Sequence, residues 1–278
     1  MQPRLLSCRD MDPRTIEAPP GQAAHRGDPG APIVAHWLGR LGYHEAWNLQ
    51  KRLAAARAAD LVGDLLLLLE HPAVLTLGRG ADPSHVLAPP ALLAERGIEL
   101  LRVERGGEVT YHGPGQLVAY PIVRLADRGM LLRPFVQALE GALSDTCAAF
   151  GVGAGRREGH PGCWVDPGGA LPRKIGALGL RVERGVTYHG IALNVSVDLA
   201  DFGLIDPCGM PGLRSASIAT ELGLDERPST ASVERAAAAF APAFAHRLGA
   251  DLQGNLPPDA DPAAEREALD RLAGAVPA

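Results

Sequence analysis

A glycine-rich segment at residues 105–116 combines the residue types that a ligand-binding loop needs. It reads Arg-Gly-Gly-Glu-Val-Thr-Tyr-His-Gly-Pro-Gly-Gln, and four of its twelve residues are glycine. Glycine adopts positive φ angles and lets a ligand approach the backbone, while Arg105, His112 and Gln116 offer polar groups around that space. The segment therefore predicts a loop against which a substrate lies.

A second segment repeats this order of residue types. Residues 104–113 and residues 183–190 both run from Glu-Arg-Gly to Val-Thr-Tyr-His-Gly. Val-Thr-Tyr favours extended backbone, so each copy predicts a strand that ends in a His-Gly pair at a sheet edge or at the mouth of a pocket. Two such edges could face one pocket. The alternative is that each Tyr-His-Gly only closes a hairpin, with His112 and His189 as structural residues.

The four cysteines differ in their sequence context. Cys8 lies in an N-terminal segment without apolar periodicity, Cys147 belongs to an apolar helical stripe, and Cys163 begins a predicted strand. These contexts favour packing for Cys147 and Cys163 and no chemistry for Cys8. Cys208 instead occupies a Pro-Cys-Gly turn, where proline fixes φ and glycine relieves crowding. Such a turn can present a sulfur as a nucleophile.

A cysteine nucleophile requires a cation or base beside it, because a free thiol has a pKa of about 8.5 and is mostly protonated at neutral pH. Lys174 is the candidate. It opens an apolar segment with small residues at 174–180, in which partial desolvation would lower the pKa of its ammonium group. The alternative is a solvated lysine at the start of a strand, and sequence spacing does not show that Lys174 meets Cys208.

Hydrophobic periodicity predicts an α/β (α+β) fold in which helices flank a mixed β-sheet. Pro242 lies inside the last predicted helix and is expected to kink or split it. The predicted strands cover residues 64–69, 73–77, 98–103, 116–123, 164–165, 175–182 and 186–197, and the predicted helices cover residues 46–56, 90–96, 136–150 and 233–248.

Proline and glycine content divides the chain into three parts. Residues 1–30 predict a disordered N-terminal extension, residues 31–250 one catalytic domain, and residues 251–278 a weakly ordered tail that adds little to the core. Within that tail, residues 263–272 carry the pattern of a short helix.

Composition excludes several classes of protein. The net charge of -5 and the pI near 6.0 oppose nonspecific nucleic-acid binding, which needs a basic surface. The N-terminal segment lacks the apolar stretch of a secretory signal, and the longest leucine run, 65–69, is too short to cross a bilayer. The cysteines show neither a disulfide scaffold nor a C-x-x-C pair. A cytoplasmic protein with no metal and no membrane association is expected.

In their order along the chain, these motifs resemble those of the lipoyl(octanoyl) transferase family. The resemblance is dense over residues 33–224 and looser over the last helix. A Gly/Pro-rich insertion at 166–172 departs from the family pattern, as does Ser-Ala-Ser-Ile at 215–218, where many relatives carry a Thr-Ser pair. The motifs are residues 105–116, Pro-Gly-Cys-Trp-Val at 161–165, residues 174–181, His-Gly-Ile-Ala-Leu-Asn-Val at 189–195, and residues 198–209 with their Pro-Cys-Gly end.

The resemblance implies the fold of the biotin/lipoate ligase catalytic domains and a cofactor-free acyl transfer. It makes Cys208 the acyl-thioester nucleophile and Lys174 the acid/base that lowers the pKa of Cys208. The implied donor is octanoyl-acyl carrier protein, and the implied acceptors are lysines in the lipoyl domains of 2-oxoacid dehydrogenases and in the glycine cleavage H protein. The acyl pocket would be lined by Arg105, Gly106, Gly107, Glu108, Val109, Thr110, Tyr111, His112, Ala177, Leu178, Gly179, Gly190, Ile191 and Ala192, with His189 as a further candidate.

Two other functions remain open at this point. An ATP-dependent lipoate or biotin ligase would share the fold and the Arg-Gly-Gly loop but would not need Cys208. A non-catalytic acyl-binding or carrier-binding module would use the glycine loops alone. A basic rim that docks an acidic carrier protein is a further hypothesis, drawn from Arg105, Arg173, Lys174, Arg181 and Arg184.

Overall fold

The fold is taken from a computed structural model, which describes residues 28–210, 212–224 and 227–274, without the side chains of Cys208, Thr230 and Ala231. The disorder predicted for residues 1–30 therefore lies outside the described residues, except at residues 28–30.

Within these ranges, a large mixed sheet forms the centre of the molecule, as predicted. Its strands are β1 (Ile33–Arg40), β2 (Asp64–Glu70), β6 (Gln116–Ile122), β7 (Ala154–Arg157), β8 (His160–Val165), β9 (Arg173–Glu183), β10 (Val186–Asn194), β11 (Arg214–Ser215) and β12 (Leu252–Asn255). They follow the order β12-β1-β2-β6-β10-β9-β8-β7, and β11 pairs with β9. Pairing is parallel across β12, β1 and β2 and between β11 and β9, and it is antiparallel elsewhere.

A second, smaller sheet carries the glycine-rich loop. It consists of β3 (Val74–Leu77), β4 (Glu99–Arg102) and β5 (Val109–His112), with β3 in the middle. β4 runs parallel to β3, and β5 runs antiparallel to it. The predicted strand pair around His71-Pro72 is thus divided between two sheets, because β2 belongs to the large sheet and β3 to the small one.

Helices cover both faces of the large sheet. The helices of the protein are α1 (Tyr43–Ala58), α2 (Pro90–Glu95), α3 (Leu132–Ala149), α4 (Ile218–Glu221), α5 (Thr230–Leu248) and α6 (Pro262–Ala273), of which α2 packs beside β4 of the small sheet. α3 and α5 pack together on one face, and α1 and α6 pack together on the other. In the described ranges, no helix has both the length and the apolar character that crossing a membrane requires.

α5 runs through Pro242 as one helix, so of the two predicted outcomes, a kink or a split, the split does not occur. Proline removes one hydrogen bond of the helix interior. Phe240 and Phe244, on either side of it, are fully buried in the core, where tertiary packing supplies most of the stability of a helix. The packing of the two rings therefore offsets the missing bond.

The C-terminal segment differs from the expected weakly ordered tail. β12 pairs with β1 in parallel, and α6 packs on α1 and β1 with Leu269 and Ala273 buried. His36 Nδ1 and Glu265 Oε2 lie 2.5 Å apart and tie α6 to β1. The signal in the sequence is weak here because β12 is a short polar strand and α6 buries few apolar residues.

Candidate active site

Lys174 lies on β9 at the point where three strands meet. It is opposite Trp164 on β8 and Ser215 on β11. Its ammonium Nζ donates a hydrogen bond to the Pro161 carbonyl at 3.0 Å and lies 5.2 Å from the centre of the Trp164 ring. Because only 9% of its surface is exposed, Lys174 is not the solvated strand-start lysine of the alternative interpretation.

The carbonyl that receives Lys174 is held in place by α3. The buried Glu140 carboxylate accepts hydrogen bonds from the Gly162 N–H at 2.9 Å and from Arg156 Nε at 2.6 Å. Gly162 has φ +127°, and a Cβ there would lie 2.5 Å from the Gly176 carbonyl oxygen and 2.8 Å from Lys174 Cε. Only glycine fits this contact, so Glu140 and Gly162 together fix the position of the Lys174 side chain.

The Cys208 turn lies beside Lys174. It is a 3₁₀ turn at Pro207–Gly209, and Asp206 N–H, just before it, donates to the His85 carbonyl at 2.8 Å. Pro207 lines a small cavity together with Lys174, and Met210, just after the turn, lines a second one with Lys174. The Cys208 side chain is outside the described part of the structure. The backbone nevertheless brings the turn and the lysine together across 34 residues of sequence.

A cavity that includes Lys174 in its lining gathers most of the residues that the family resemblance assigns to the acyl pocket. We call it the inner cavity. Its lining residues on β5, β9 and β10 include both copies of the repeated motif, which confirms that the two copies face one pocket. It is lined by Tyr43, Arg105, Gly107, Glu108, Val109, Thr110, His112, Tyr120, Lys174, Ala177, Leu178, Gly179, His189, Gly190, Ile191 and Ala192.

Two residues of the expected pocket lie elsewhere. Tyr111 alternates with Thr110 and His112 along β5, so its side chain points to the opposite face, where its ring packs 5.5 Å from that of Phe202. Gly106 lines a neighbouring groove and donates its N–H to the Leu180 carbonyl at 3.0 Å. The remaining candidates line the inner cavity together.

Arg105 is a buried clamp and not a surface cation. Its Nη2 donates to the Thr76 carbonyl at 2.6 Å and to the Thr76 hydroxyl at 2.8 Å, and its Nη1 donates to the Gly106 carbonyl at 3.0 Å. With 7% of its surface exposed, Arg105 cannot belong to a docking rim, and the same holds for Lys174. Arg173 forms an ion pair with Glu221 at 2.9 Å. The predicted basic rim is therefore not formed as a whole.

Glu108 links the glycine loop to the Cys208 turn. Its Oε2 lies 3.0 Å from His85 Nδ1 and accepts the Asp82 N–H at 3.2 Å. A Cβ on Gly209, which has φ +62°, would lie 2.8 Å from His85 Cε1. His85 therefore packs directly under the turn, and the charged end of the loop holds it there.

The histidine at the end of β5 is neutral near pH 7 and hydrogen-bonded at Nδ1. His112 Nδ1 donates to Gln116 Oε1 at 2.8 Å, and Gln116 Nε2 donates to Asn194 Oδ1 at 2.9 Å. Burial, followed by the nearby His71, lowers the pKa of His112 to about 3. His71 itself donates from Nδ1 to the Leu41 carbonyl and accepts the Tyr120 hydroxyl, and burial lowers its pKa to about 4.

His189 is built differently. The prediction placed it at a sheet edge or at the mouth of a pocket; it lies within β10, between β6 and β9, and it lines the inner cavity. Its φ is +54°, and its N–H donates to Gln50 Oε1 at 2.8 Å. Neither ring nitrogen finds a hydrogen-bond partner within the described part of the chain, although both are buried. Burial, followed by the charge of Arg105, lowers the pKa of His189 to about 3. Buried polar groups are normally hydrogen-bonded, so a purely structural role does not explain this imidazole.

Several residues of the site carried no recognisable signal in the sequence. Tyr43 and Tyr120 wall the inner cavity, and burial raises the pKa of Tyr43 to about 12. Each belongs to an element whose pattern was read only as core. Glu140 and His85 act through contacts with residues more than twenty positions away. A single sequence gives no information about such pairs.

The cysteines outside the Cys208 turn behave as expected where they are described. Cys147 and Cys163 are fully buried between α3 and β8. The hydrogen bond between the two thiols and their burial raise the pKa of Cys147. Packing is therefore their role, while Cys8 lies outside the described residues.

Comparison with known proteins shows the family of the chain. The family model described as the lipoyl protein ligase A/B catalytic domain matches residues 42–245. An octanoyltransferase of Acidobacterium capsulatum is 46% identical over 233 residues, covering 80% of this chain and 94% of the relative. The octanoyltransferase of Aromatoleum aromaticum is 48% identical over 197 residues, covering 71% of this chain and 79% of the relative.

Solved structures show the fold independently. A lipoate-protein ligase A bound with ATP superposes with a TM-score of 0.63 at 16% identity, covering 87% of this chain and 93% of the other. A bipartite lipoate protein ligase from Thermoplasma acidophilum gives 0.60 at 16% identity, covering 87% and 91%. These structures confirm the predicted fold class, which is that of the lipoate ligase catalytic domains. The chain belongs to the lipoyl protein ligase A/B catalytic domain family, among relatives that are octanoyltransferases.

Proposed function

We propose that this protein transfers an octanoyl group from octanoyl-acyl carrier protein, through a thioester on Cys208, to a lysine of lipoyl domains. Lipoyl domains of 2-oxoacid dehydrogenases and the glycine cleavage H protein are the proposed acceptors. The supporting relatives carry the name octanoyltransferase at 46–48% identity. The reaction would make an amide-linked octanoyl group from a carrier thioester.

One observation carries the proposal: the Lys174 ammonium lies where the inner cavity meets the Cys208 turn. A cation beside a thiol lowers the pKa of the thiol and increases the thiolate fraction that can attack. The Pro161 carbonyl and the Trp164 ring hold that cation in place. An acyl chain bound in the inner cavity would end at this junction.

In the first half-reaction, the Cys208 thiolate attacks the carbonyl carbon of the donor thioester. A new carbon–sulfur bond forms, the bond to the donor sulfur breaks, and the departing thiolate takes a proton, for which the Lys174 ammonium is the proposed source. The octanoyl chain stays in the inner cavity, away from water, so that hydrolysis of the thioester is slowed.

In the second half-reaction, the neutral amine of the acceptor lysine attacks the acyl-enzyme. The carbon–nitrogen bond forms, the bond to Cys208 breaks, and the proton lost by the amine passes to Lys174, which restores the ammonium. His112 and His189 cannot take this proton near neutral pH, because their pKa values of about 3 are too low. Lys174 is therefore the proton carrier in the proposed mechanism.

The test is the intact mass of the protein after incubation with octanoyl-acyl carrier protein in the absence of ATP. We expect one octanoyl adduct, labile to hydroxylamine and mapped to Cys208. Cys208→Ser should abolish the adduct. Cys8→Ser is the matched control, because it removes a different thiol and should leave the adduct unchanged. Lys174→Met should slow acylation and shift the pH profile of Cys208 alkylation by iodoacetamide towards higher pH.

Transfer that depends on ATP and persists in Cys208→Ser would overturn the proposal in favour of a ligase. The ligases among the solved structures share 16% identity with this chain and support the fold alone. Octanoyl binding without any transfer to a lipoyl domain would favour the non-catalytic module.

A further inference from the structure

A second cavity opens beside the inner cavity, on the outer side of β9. This cavity, which we call the outer groove, has a volume of about 460 Å³. The first turns of α3, the β7–β8 hairpin and the glycine loop form its walls. It is lined by Gly106, Gly107, Glu108, Leu132, Val136, Gly159, His160, Pro161, Trp164, Lys174, Leu178, Gly179, Leu180 and Met210.

The outer groove and the inner cavity meet along β9 and the glycine loop, because five residues line both: Gly107, Glu108, Lys174, Leu178 and Gly179. A thioester has two substituents at its reacting centre, the acyl chain and the thiol arm. If the reaction occurs beside Lys174, one substituent must extend into each cavity. The inner cavity is walled by the buried Tyr43 and His112, whereas the outer groove reaches the surface at Leu132, which is 46% exposed. Since a thiol arm tethered to a carrier must lead outwards, the outer groove fits the arm.

The backbone of β9 suits an arm that contains amides. Pairing with β8 covers the first residues of β9, from Arg173 to Gly176, and further along the Leu180 carbonyl accepts the Gly106 N–H. In antiparallel pairing, the N–H and C=O of one residue point to the same side, and alternate residues share that side. The register with β10 is continuous, so the peptide groups of Leu178 also point away from β10, towards the groove.

An arginine lies beside one of the lining residues of the groove, Trp164. Arg157 on β7 is opposite His160 on β8, and its guanidinium carbon lies 5.3 Å from the centre of the Trp164 ring. Stacking on an aromatic face leaves the edge of a guanidinium available for anions. An apolar groove with strand-edge amides and an arginine stacked on one of its lining rings matches a chain of methylenes and amides that ends in a phosphate.

We propose that the outer groove binds the pantetheine-type thiol arm of the acyl donor, with an arm amide paired to Leu178 and its phosphate end towards Arg157. This inference rests on the proposed octanoyl transfer and extends it to the donor half of the site. After the first half-reaction the released thiol leaves by the groove, and the acceptor lysine enters by the same route.

The test compares two octanoyl donors, S-ethyl octanethioate, which has no arm, and octanoyl-pantetheine, in the acylation of Cys208 by intact mass. In the native protein we expect the second-order rate constant to be higher for octanoyl-pantetheine by about tenfold or more. Val136→Trp narrows the groove and should reduce the ratio of the two rate constants by about tenfold. Leu132→Trp, at the mouth, should reduce it less.

Leu272→Trp is the matched control, because Leu272 on α6 is 40% exposed and far from both cavities. It should leave both rate constants unchanged. S-methyl pantetheine, tested on the native protein, should compete with octanoyl-pantetheine. This competition needs no variant and so does not depend on the folding of Val136→Trp.

Three results have separate meanings. Equal rate constants for the two donors, or no competition by S-methyl pantetheine, would overturn the arm-binding inference. Equal slowing of both donors by Val136→Trp, with thermal stability unchanged, would place the acyl chain in the outer groove and also overturn it. If neither donor nor octanoyl-acyl carrier protein acylates Cys208, the proposed function fails first.

Discussion

Residues 104–113 and residues 183–190 have the same order of residue types, yet the fold uses them for different tasks. In the first copy, Arg105 turns inwards and bonds to Thr76 under the inner cavity. In the second, Arg184 and Gly185 form the exposed turn between β9 and β10, with φ of +50° and +78°. The histidines of both copies line one cavity, but only His112 has a hydrogen-bond partner on its ring within the described residues.

The difference begins with spacing. In the second copy, Glu183 pairs directly with Val186, which leaves two residues for the turn. Two residues with positive φ form the hairpin turn that matches the twist of β-strands. The first copy has two additional residues, Gly107 and Glu108, so its loop is too long for that turn. Similar residue types therefore do not imply a structural repeat when the loop lengths differ.

The largest expected difference between the copies concerns their arginines. Arg105→Met leaves the Thr76 and Gly106 carbonyls without their donors, and we expect a loss of about 3 kcal/mol in the free energy of unfolding. Arg184→Met removes an exposed turn residue and should change it by less than about 0.5 kcal/mol. Urea unfolding of the two variants at pH 7.5 checks this, and similar losses in both would show that Arg105 is not a buried clamp.

Local patterns in the sequence were sufficient to predict several strands and the glycine loop of the site. Strand patterns located β2, β6, β9 and β10, because buried strands are continuous apolar runs. The site loop was visible from its glycines.

The supports of the site were not predictable from one sequence. Glu140 holds Gly162 from a helix, and Thr76 receives Arg105 from another strand, at separations of 22 and 29 residues. No local pattern requires a glutamate in α3 or a threonine in β3, since each is needed only after the chain has folded around it. His189 was expected at a strand end because residues 183–190 look like residues 104–113, whose His112 does end β5.

A second comparison concerns the glycines that follow the two histidines. A Cβ on Gly190 would lie 2.0 Å from the Ala119 carbonyl oxygen, which belongs to the backbone of β6. A Cβ on Gly113 would lie 2.2 Å from the Tyr111 hydroxyl, the end of a side chain. A side chain can shift more readily than a paired strand. Gly190→Ala should therefore cost about 3 kcal/mol and Gly113→Ala about half as much.

Thermal or urea unfolding of the two alanine variants measures this difference. Gly153→Ala is a control, since a Cβ at that position would meet no atom within 4 Å and Gly153 is not among the positive-φ glycines. A larger loss for Gly113→Ala than for Gly190→Ala would contradict the close approach of β10 to β6.

The smallest expected difference between the two copies concerns the pH dependence of stability, to which the two histidines contribute alike. His112 and His189 have pKa values of about 3 in the folded protein, against an ordinary value of 6.5. Between pH 6.5 and about 3, the unfolded chain binds a proton at each position that the folded chain does not bind. Stability is therefore complete above pH 6.5 and decreases as the pH falls, by up to about 1.4 kcal/mol per pH unit for each histidine.

His112→Asn and His189→Asn should each reduce the slope of unfolding free energy against pH by up to about 1.4 kcal/mol per pH unit, the equivalent of one proton. Asparagine is chosen because it tolerates the positive φ at position 189. His44→Asn is the control, because the His44 side chain is 57% exposed. Urea unfolding at pH 7.5, 6.5, 5.5 and 4.5 gives the slopes. Equal slopes in the native protein and both site variants would show that the imidazoles take up protons in the folded state. Similar reductions would mean that burial acts alike on both copies, although only one ring is hydrogen-bonded.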